Sequence, residues 1–311
     1  MAASTKPTQK VIFVVGPTAV GKSAWALQQA IKYHGSIVNI DSVQFYRGLD
    51  VGSAAPSEAE KKIVPHYLYS YVFAPAEMTA GRYITDFYEL LKTDIQFPLF
   101  VVGGTGFYIQ ALEKGMFDVE PIEEKFREEI ENELAEFGPE KLYTELKQKD
   151  PDTKIHLNDH YRLVRALEIL RHTGKIPSKL KNQPVENKNG LKLPYIKIGF
   201  SFEKEIFLAR VKHRTKQMIA NGMIDETNHF LKQGFGHWAP LSSVGFKECV
   251  EYIKNDLSRE WLEEAIEQST MKLIKKQKTW FKRDASILWS DSSADSLNLV
   301  GQKLDQFLMD D

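Results

Sequence analysis

The chain has 311 residues, long for one average domain and short for two large ones, which favours a single core carrying an insertion. With 42% hydrophobic and 27% charged residues it is neither collagen-like, mucin-like nor wholly disordered. Lys and Arg total 41 against 42 Asp and Glu, and the resulting formal net charge of −1 argues, taken alone, against a nucleic-acid partner. Cys249 is the single cysteine, which excludes an internal disulfide or a Cys-based metal site and points to a reducing, cytoplasmic compartment. No apolar run reaches membrane-spanning length, and the polar opening MAASTKPTQK fits a frayed terminus better than a signal or transit peptide.

Val11 to Val15 is a β-branched apolar run suited to a strand buried on both faces. Gly16–Ser23 follows as a glycine-bounded loop, and from Ala24 the spacing of Leu27, Ala30 and Ile31 is helical, with Gly35 placed to stop the helix. Ser36–Ile40 reads as a second strand ending at Asp41. Residues 81–95 read as a helix through Tyr83, Phe87, Leu90 and Leu91. Leu99–Val102 is a third strand, breaking into Gly103-Gly104-Thr105-Gly106. Alternating strands and helices predict an α/β fold, a parallel sheet flanked by helices, with ligands beyond the carboxyl ends of the strands.

From Asp118 the character changes. Residues 118–152 hold 13 acidic and 5 basic side chains, a net of −8, whereas 160–192 hold 8 basic and 2 acidic, a net of +6. Tyr195–Phe200 resumes strand-like alternation. The expected organisation is a core in two parts, 1–115 and 195–311, interrupted by a mostly helical insertion at 116–194. In the second core part, 258–283 reads as a long basic helix.

Gly16-Pro17-Thr18-Ala19-Val20-Gly21-Lys22-Ser23 matches G-x-x-x-x-G-K-[ST] between a strand and a helix, the context of a phosphate-binding P-loop. The glycines let backbone N–H groups curl around phosphate oxygens, the helix N-terminus adds a favourable dipole, Lys22 supplies a charged donor and Ser23 a hydroxyl for Mg²⁺. An NTPase also needs a carboxylate after another strand. Leu99–Val102 is followed by Gly-Gly-Thr with no acid, so Asp41 is either that acid or something else.

Several stretches run in one order along nearly the whole chain. They are GPTAVGKS, Asp41 to Gly52, Pro65-His66, Val102 to Tyr108, Asp159 to Glu168, Val244 to Glu248 and Lys275 to Phe281. In these the sequence resembles the tRNA dimethylallyltransferases, which transfer a dimethylallyl group from its pyrophosphate to the exocyclic amine of the adenosine just 3′ of the tRNA anticodon. The resemblance implies that Gly16–Ser23 grips the pyrophosphate of an isoprenoid donor with Mg²⁺, and that Asp41 is the base acting on the adenine amine. It implies roles at the reacting groups for Thr105 and, from the far side of the cleft, for Arg214, with Arg210 one helical turn before it. The target base must leave its stack, and Asp41, Ser42, Val43 and Gln44 are implied to line its pocket. Phe45 and Tyr46 read as core rather than stacking groups.

The same resemblance implies tRNA contacts at Tyr161, Arg162, Leu163, Val164 and Arg165, at Arg127, and at Lys275, Lys276 and Lys278. Arg162 and Arg165, three apart, share a helical face, which without the resemblance reads equally well as a solvated one. Arg127 has a rival role in an intrahelical pair with Glu123 or Glu131. The implied partners are a tRNA anticodon stem-loop, clamped by the insertion, and dimethylallyl pyrophosphate, with no membrane, no obligate protein partner and a monomeric enzyme. The chain departs from the family at Ala55, in place of a lysine, at Tyr67, in place of a second histidine, and at Met271 and Lys276, each in place of an arginine. Two rival readings are a small P-loop kinase with Asp41 as base and a non-catalytic RNA-binding P-loop protein.

Overall fold

The computed structural model describes residues 9–116, 122–182 and 190–310. The frayed terminus expected over the opening residues falls on 1–8, outside the described residues. In chain order the elements are β1 (Val11–Val15), α1 (Lys22–Lys32), β2 (Ser36–Asn39), α2 (Asp50–Ser53), α3 (Glu58–Ile63), β3 (His66–Tyr67), α4 (Ala80–Leu90), β4 (Leu99–Val102) and α5 (Gly106–Lys114). Next come α6 (Glu124–Phe137), α7 (Pro139–Lys149), α8 (His160–Thr173) and α9 (Pro177–Asn182). The chain continues with β5 (Tyr195–Phe200), α10 (Lys204–Ala220), α11 (Met223–Lys232), a 3₁₀ turn at Ala239–Ser242, α12 (Phe246–Asn255), α13 (Arg259–Phe281), β6 (Ile287–Ser290) and α14 (Ala294–Met309). No helix among the described residues is long and apolar enough to cross a membrane.

The six strands form one parallel sheet in the order β3-β2-β4-β1-β5-β6. All five residues of β1 are fully buried, as a β-branched run in the middle of a doubly covered sheet demands. Because every strand points the same way, the loops after β1, β2 and β4 emerge at one end of adjacent strands. The fold is thus the P-loop α/β architecture expected. The sixth strand and α14 lie in an acidic tail whose sequence carried no element signal.

Two local readings change. Helix α1 stops in a left-handed His34 (φ 53°), while the Gly35 N–H bonds back to the Ala30 carbonyl at 2.9 Å. Gly35 is small for another reason: a Cβ there would overlap the Pro98 carbonyl oxygen. The helix expected to reach residue 95 ends at Leu90, where the Thr93 hydroxyl donates to the Leu90 carbonyl at 2.7 Å.

The chain divides into two compact units, one combining everything up to Glu113 with everything from Leu191 onward, the other spanning Lys114–Gly190. The stretch before β5 belongs with the sheet: Leu191 N–H donates to Leu112 O and Val11 N–H to Pro194 O, both at 2.9 Å. In the sheet unit Lys197, almost fully buried on β5, pairs with Glu113 at 2.8 Å and Asp284 at 2.5 Å. The other unit packs α6, α7 and α8 around Ile130, Leu142, Leu146, Leu163, Leu167 and Leu170. Arg171 on α8 ties the three together, reaching Glu133 at 2.7 Å and Glu145 at 2.6 Å.

Candidate active site

The loop after β1 is shaped by its backbone. Gly16 (φ 133°) passes so close to β5 that a Cβ would sit 2.5 Å from Phe200 O, and Gly21 (φ 93°) caps α1 in the left-handed region. Helix α1 starts at Lys22, which puts the Lys22 and Ser23 amides among the unpaired N–H groups of a first turn. The Lys22 Nζ spans the loop to donate to Pro17 O at 2.7 Å. Burial pulls its pKa down to about 8, opposed by the nearby Asp41 charge and reinforced by Arg214.

Asp41 sits where β2 gives way to its loop. Buried Asn39 organises the turn, accepting from Asp41 N–H at 2.7 Å and donating to Asp41 O at 3.2 Å and Leu68 O at 3.0 Å. One Asp41 carboxylate oxygen accepts from Val43 N–H at 3.1 Å; the other has no hydrogen-bond partner among the described residues. The Ser42 N–H donates to the Thr105 hydroxyl at 3.0 Å, which joins the β2 loop to the β4 loop. The Gln44 amide group donates to Ser53 O at 3.0 Å and Ala54 O at 2.9 Å, which leaves only its carbonyl to read a base edge. Phe45 and Tyr46 are core. Phe45 packs among Tyr71, Tyr83 and Tyr108, and the Tyr46 hydroxyl accepts from Met78 N–H at 2.9 Å.

Helix α10 faces this end of the sheet. Phe207, Val211, Thr215 and Ile219 form its buried stripe, which leaves Arg210 and Arg214 on another face. Both arginines line a cavity of about 1240 Å³ together with Ala19, Gly21, Ala55 and Tyr69. The Arg210 guanidinium stacks on Phe202 at 4.2 Å, beside Gly21. Arg214 is half-buried, and burial lowers its pKa against the opposing pull of Asp41. Burial and the Asp41 charge both push the Tyr69 phenol up, so it stays protonated. Lys22, Asp41 and Arg214 thus share one electrostatic neighbourhood, although Asp41, Lys22 and Thr105 do not line the cavity itself.

For a cation, the P-loop offers the exposed Ser23 hydroxyl. No group of three His, Cys, Asp or Glu among the described residues could hold a metal ion alone. Such a donor set fits an ion whose remaining ligands are substrate phosphate oxygens and water, the usual mode of Mg²⁺.

The long helix α13 begins at Arg259 with Ser258 as its N-cap. Lys275 and Lys276 are exposed and line a surface pocket of about 270 Å³ with Thr279, Trp280 and Arg283. Lys278 does not line that pocket. Its ammonium donates to Phe202 O at 3.3 Å and lies over the Phe207 ring. Gln277, absent from the expected set, reaches both the P-loop and the β4 loop, accepting from Thr18 N–H and donating to Gly104 O, each at 2.9 Å.

In the helical unit Tyr161 is 68% exposed, whereas Leu163 and Val164 are buried in that unit's core. Successive residues of a helix point about 100° apart, so within this five-residue block Leu163 and Val164 turn into the unit's core while Tyr161 faces outward. Arg162 pairs with Asp159 at 3.3 Å, and Arg165 with the buried Glu168 at 2.8 Å. Arg127 makes the intrahelical pair with Glu131 at 2.9 Å and lies over the Tyr161 ring.

The sequence model of the IPP transferase family matches residues 44–284. The chain belongs to that family. It is 46% identical to a tRNA dimethylallyltransferase of Bdellovibrio bacteriovorus over 91% of this chain and 94% of that protein. In structure it resembles the tRNA isopentenylpyrophosphate transferase of Bacillus halodurans, with a TM-score of 0.67 and 27% identity over 96% of this chain and 98% of that one. It also resembles a eukaryotic dimethylallyltransferase described as acting on tRNA, with a TM-score of 0.78 and 26% identity over 96% of this chain and 80% of that one. Among IPP transferases this chain places Ala55 in the wall of the large cavity and Lys276 in the surface pocket on α13. Two further side chains near the site gave no sequence signal: Tyr69, and Glu226, whose carboxylate accepts from Val51 and Gly52 N–H at 3.0 and 2.8 Å.

Proposed function

We propose that the chain transfers the dimethylallyl group from dimethylallyl pyrophosphate to the N6 amine of the adenosine 3′-adjacent to the anticodon of tRNA. The observation that carries this reading is that, in a member of the IPP transferase family, Lys22 of the loop Gly16–Ser23 feels the charges of both Asp41 and Arg214. The loop amides from Ala19 to Ser23, Lys22 and Arg214 hold the pyrophosphate and stabilise the charge that grows on it as the allylic C–O bond breaks. Mg²⁺, held by Ser23 and the phosphates, supplies further charge neutralisation when bound.

The adenine amine is a weak nucleophile because its lone pair is delocalised into the ring. Asp41 accepts an N–H hydrogen bond from it, raising its electron density, and takes the proton as the new C–N bond forms. The products are prenylated tRNA and pyrophosphate. Thr105 fixes the Ser42 backbone beside Asp41, and the Gln44 carbonyl is available to the edge of a base turned out of its stack. On this reading the unit at 114–190 grips the anticodon arm through Tyr161, Arg162 and Arg165, with Arg127 holding Tyr161. Lys275, Lys276 and Trp280 on α13 follow the RNA backbone.

Incubation with dimethylallyl pyrophosphate or with ATP, followed by mass analysis of nucleosides from the tRNA, tests the reading. A dimethylallyl increment on adenosine is expected. Release of ADP without prenylated nucleoside would replace the reading with that of a kinase.

A further inference from the structure

Among the described residues no side chain of the donor loop bonds directly to the acceptor loop, yet one side chain from elsewhere bonds to both. The Gln277 amide, projecting from α13, accepts from Thr18 N–H through Oε1 and donates to Gly104 O through Nε2. Thr18 precedes the P-loop amides that face a phosphate, and Gly104 precedes Thr105, which holds Ser42. The linkage therefore runs from the P-loop through Gln277 to the β4 loop, and from there to the strand end that carries Asp41. Its polarity is set by the partners: one is an obligate donor and the other an obligate acceptor.

The sequence around it is shaped to let α13 come this close. A Cβ at Gly104 would overlap the Gln277 amide, and one at Gly106 would overlap the Trp280 ring. Helix α13 is thus seated on the β4 loop by two residues one turn apart in register, each against a glycine.

We propose that Gln277 is a positioning residue that sets the pyrophosphate cradle against the Asp41–Thr105 side of the reaction, an inference resting on the prenyl-transfer reading above. In-line displacement needs the allylic carbon and the amine held at near-contact distance, and a shift of about 1 Å between their two supports costs about 100-fold in rate. Gln277 touches neither reactant on this account; it acts through Thr18 and Gly104.

The test compares Gln277→Ala and Gln277→Glu with the unaltered protein in single-turnover prenyl transfer, with melting temperature and inorganic pyrophosphate binding measured alongside. Gln277→Ala should lose about 10- to 100-fold in transfer rate while its pyrophosphate affinity stays within about threefold. Gln277→Glu is isosteric and still accepts from Thr18, but an ionised carboxylate repels Gly104 O. Its rate relative to the unaltered protein should recover as pH falls from about 8 to about 6, because the protonated acid again donates. The same ratio for Gln277→Ala should be flat.

An unaltered rate in Gln277→Ala, a parallel collapse of pyrophosphate affinity, or a pH-independent ratio for Gln277→Glu each overturns the proposal. Should Gln277→Ala fail to fold, the pH ratio of Gln277→Glu decides alone. Absence of prenylated tRNA from the unaltered protein is a separate outcome, which overturns the prenyl-transfer reading itself.

Discussion

Ser42 and Thr105 lock two neighbouring strand ends together: the Ser42 N–H donates to the Thr105 hydroxyl at 3.0 Å, and that hydroxyl donates onward to Ser42 Oγ at 3.2 Å. Asp41 is the residue before Ser42, so the backbone that carries it is tied down by a bond made outside its own loop. Thr105→Val keeps the shape and removes the hydroxyl. It should lower the transfer rate about tenfold, and Thr105→Ser should restore most of it, as read in single-turnover assays.

Asp41→Asn preserves volume and removes the carboxylate proposed above as the base. Prenyl transfer should fall by about 10²- to 10⁴-fold, the usual contribution of general base catalysis, while tRNA affinity in a binding titration changes little. Equal loss of both would place Asp41 in RNA binding and not in proton transfer.

Gly106→Ala should destabilise the protein by about 1–3 kcal/mol, because the new methyl group overlaps the Trp280 indole. Urea denaturation of Gly106→Ala, Trp280→Leu and the double variant checks this. The double variant should recover part of the loss if the clash is local.

Glu226 gives stability a pH dependence. Burial raises its carboxyl from 4.5 to about 7, outweighing the hydrogen bonds from Gly52 and Val51. The folded state therefore keeps a proton that the unfolded chain has released, so this group's contribution is largest below pH 4.5 and is lost as pH rises to about 7. Glu226→Gln should gain stability relative to the unaltered protein between pH 5 and pH 8. Denaturation curves at about those two values suffice to detect it.

Under the proposed function the exposed Lys275, Lys276 and Arg283 meet RNA phosphates, so tRNA binding should weaken as salt rises. The slope should be modest, because Arg127, Arg162 and Arg165 already have acidic partners within their own unit. Replacing Lys275 and Lys276 by Ala should reduce the log–log slope by about 1–2 in an anisotropy titration. An unchanged slope would take α13 off the RNA path.

Local signals carried much of this molecule. Val11–Val15 followed by GPTAVGKS is a strand, a tight loop and a helix start, each decided by residues within a few positions of one another. Asp41 and Thr105 were legible as residues just past apolar runs, which a parallel sheet brings to one end. The net charge of −1 misled because it summed an acidic helical stretch, a basic one and an acidic tail.

Side-chain destinations were less legible. Leu163 belongs to the same family stretch as Tyr161, yet it is fully buried while Tyr161 is exposed, because two positions turn a helix about 200°. Lys278 looked like one more member of a basic run until α10 packed beside it and Phe202 offered a carbonyl. Gln277 lies 259 positions from Thr18 in the chain, and nothing in its neighbours announces the bond. The sequence by itself determined the strand–loop–helix unit around Gly16–Ser23 and the strand ends before Asp41 and Thr105, because those preferences are local. Tertiary structure alone decided which side chains meet across the site, because that depends on how distant helices seat on the sheet and where a glycine lets them close in.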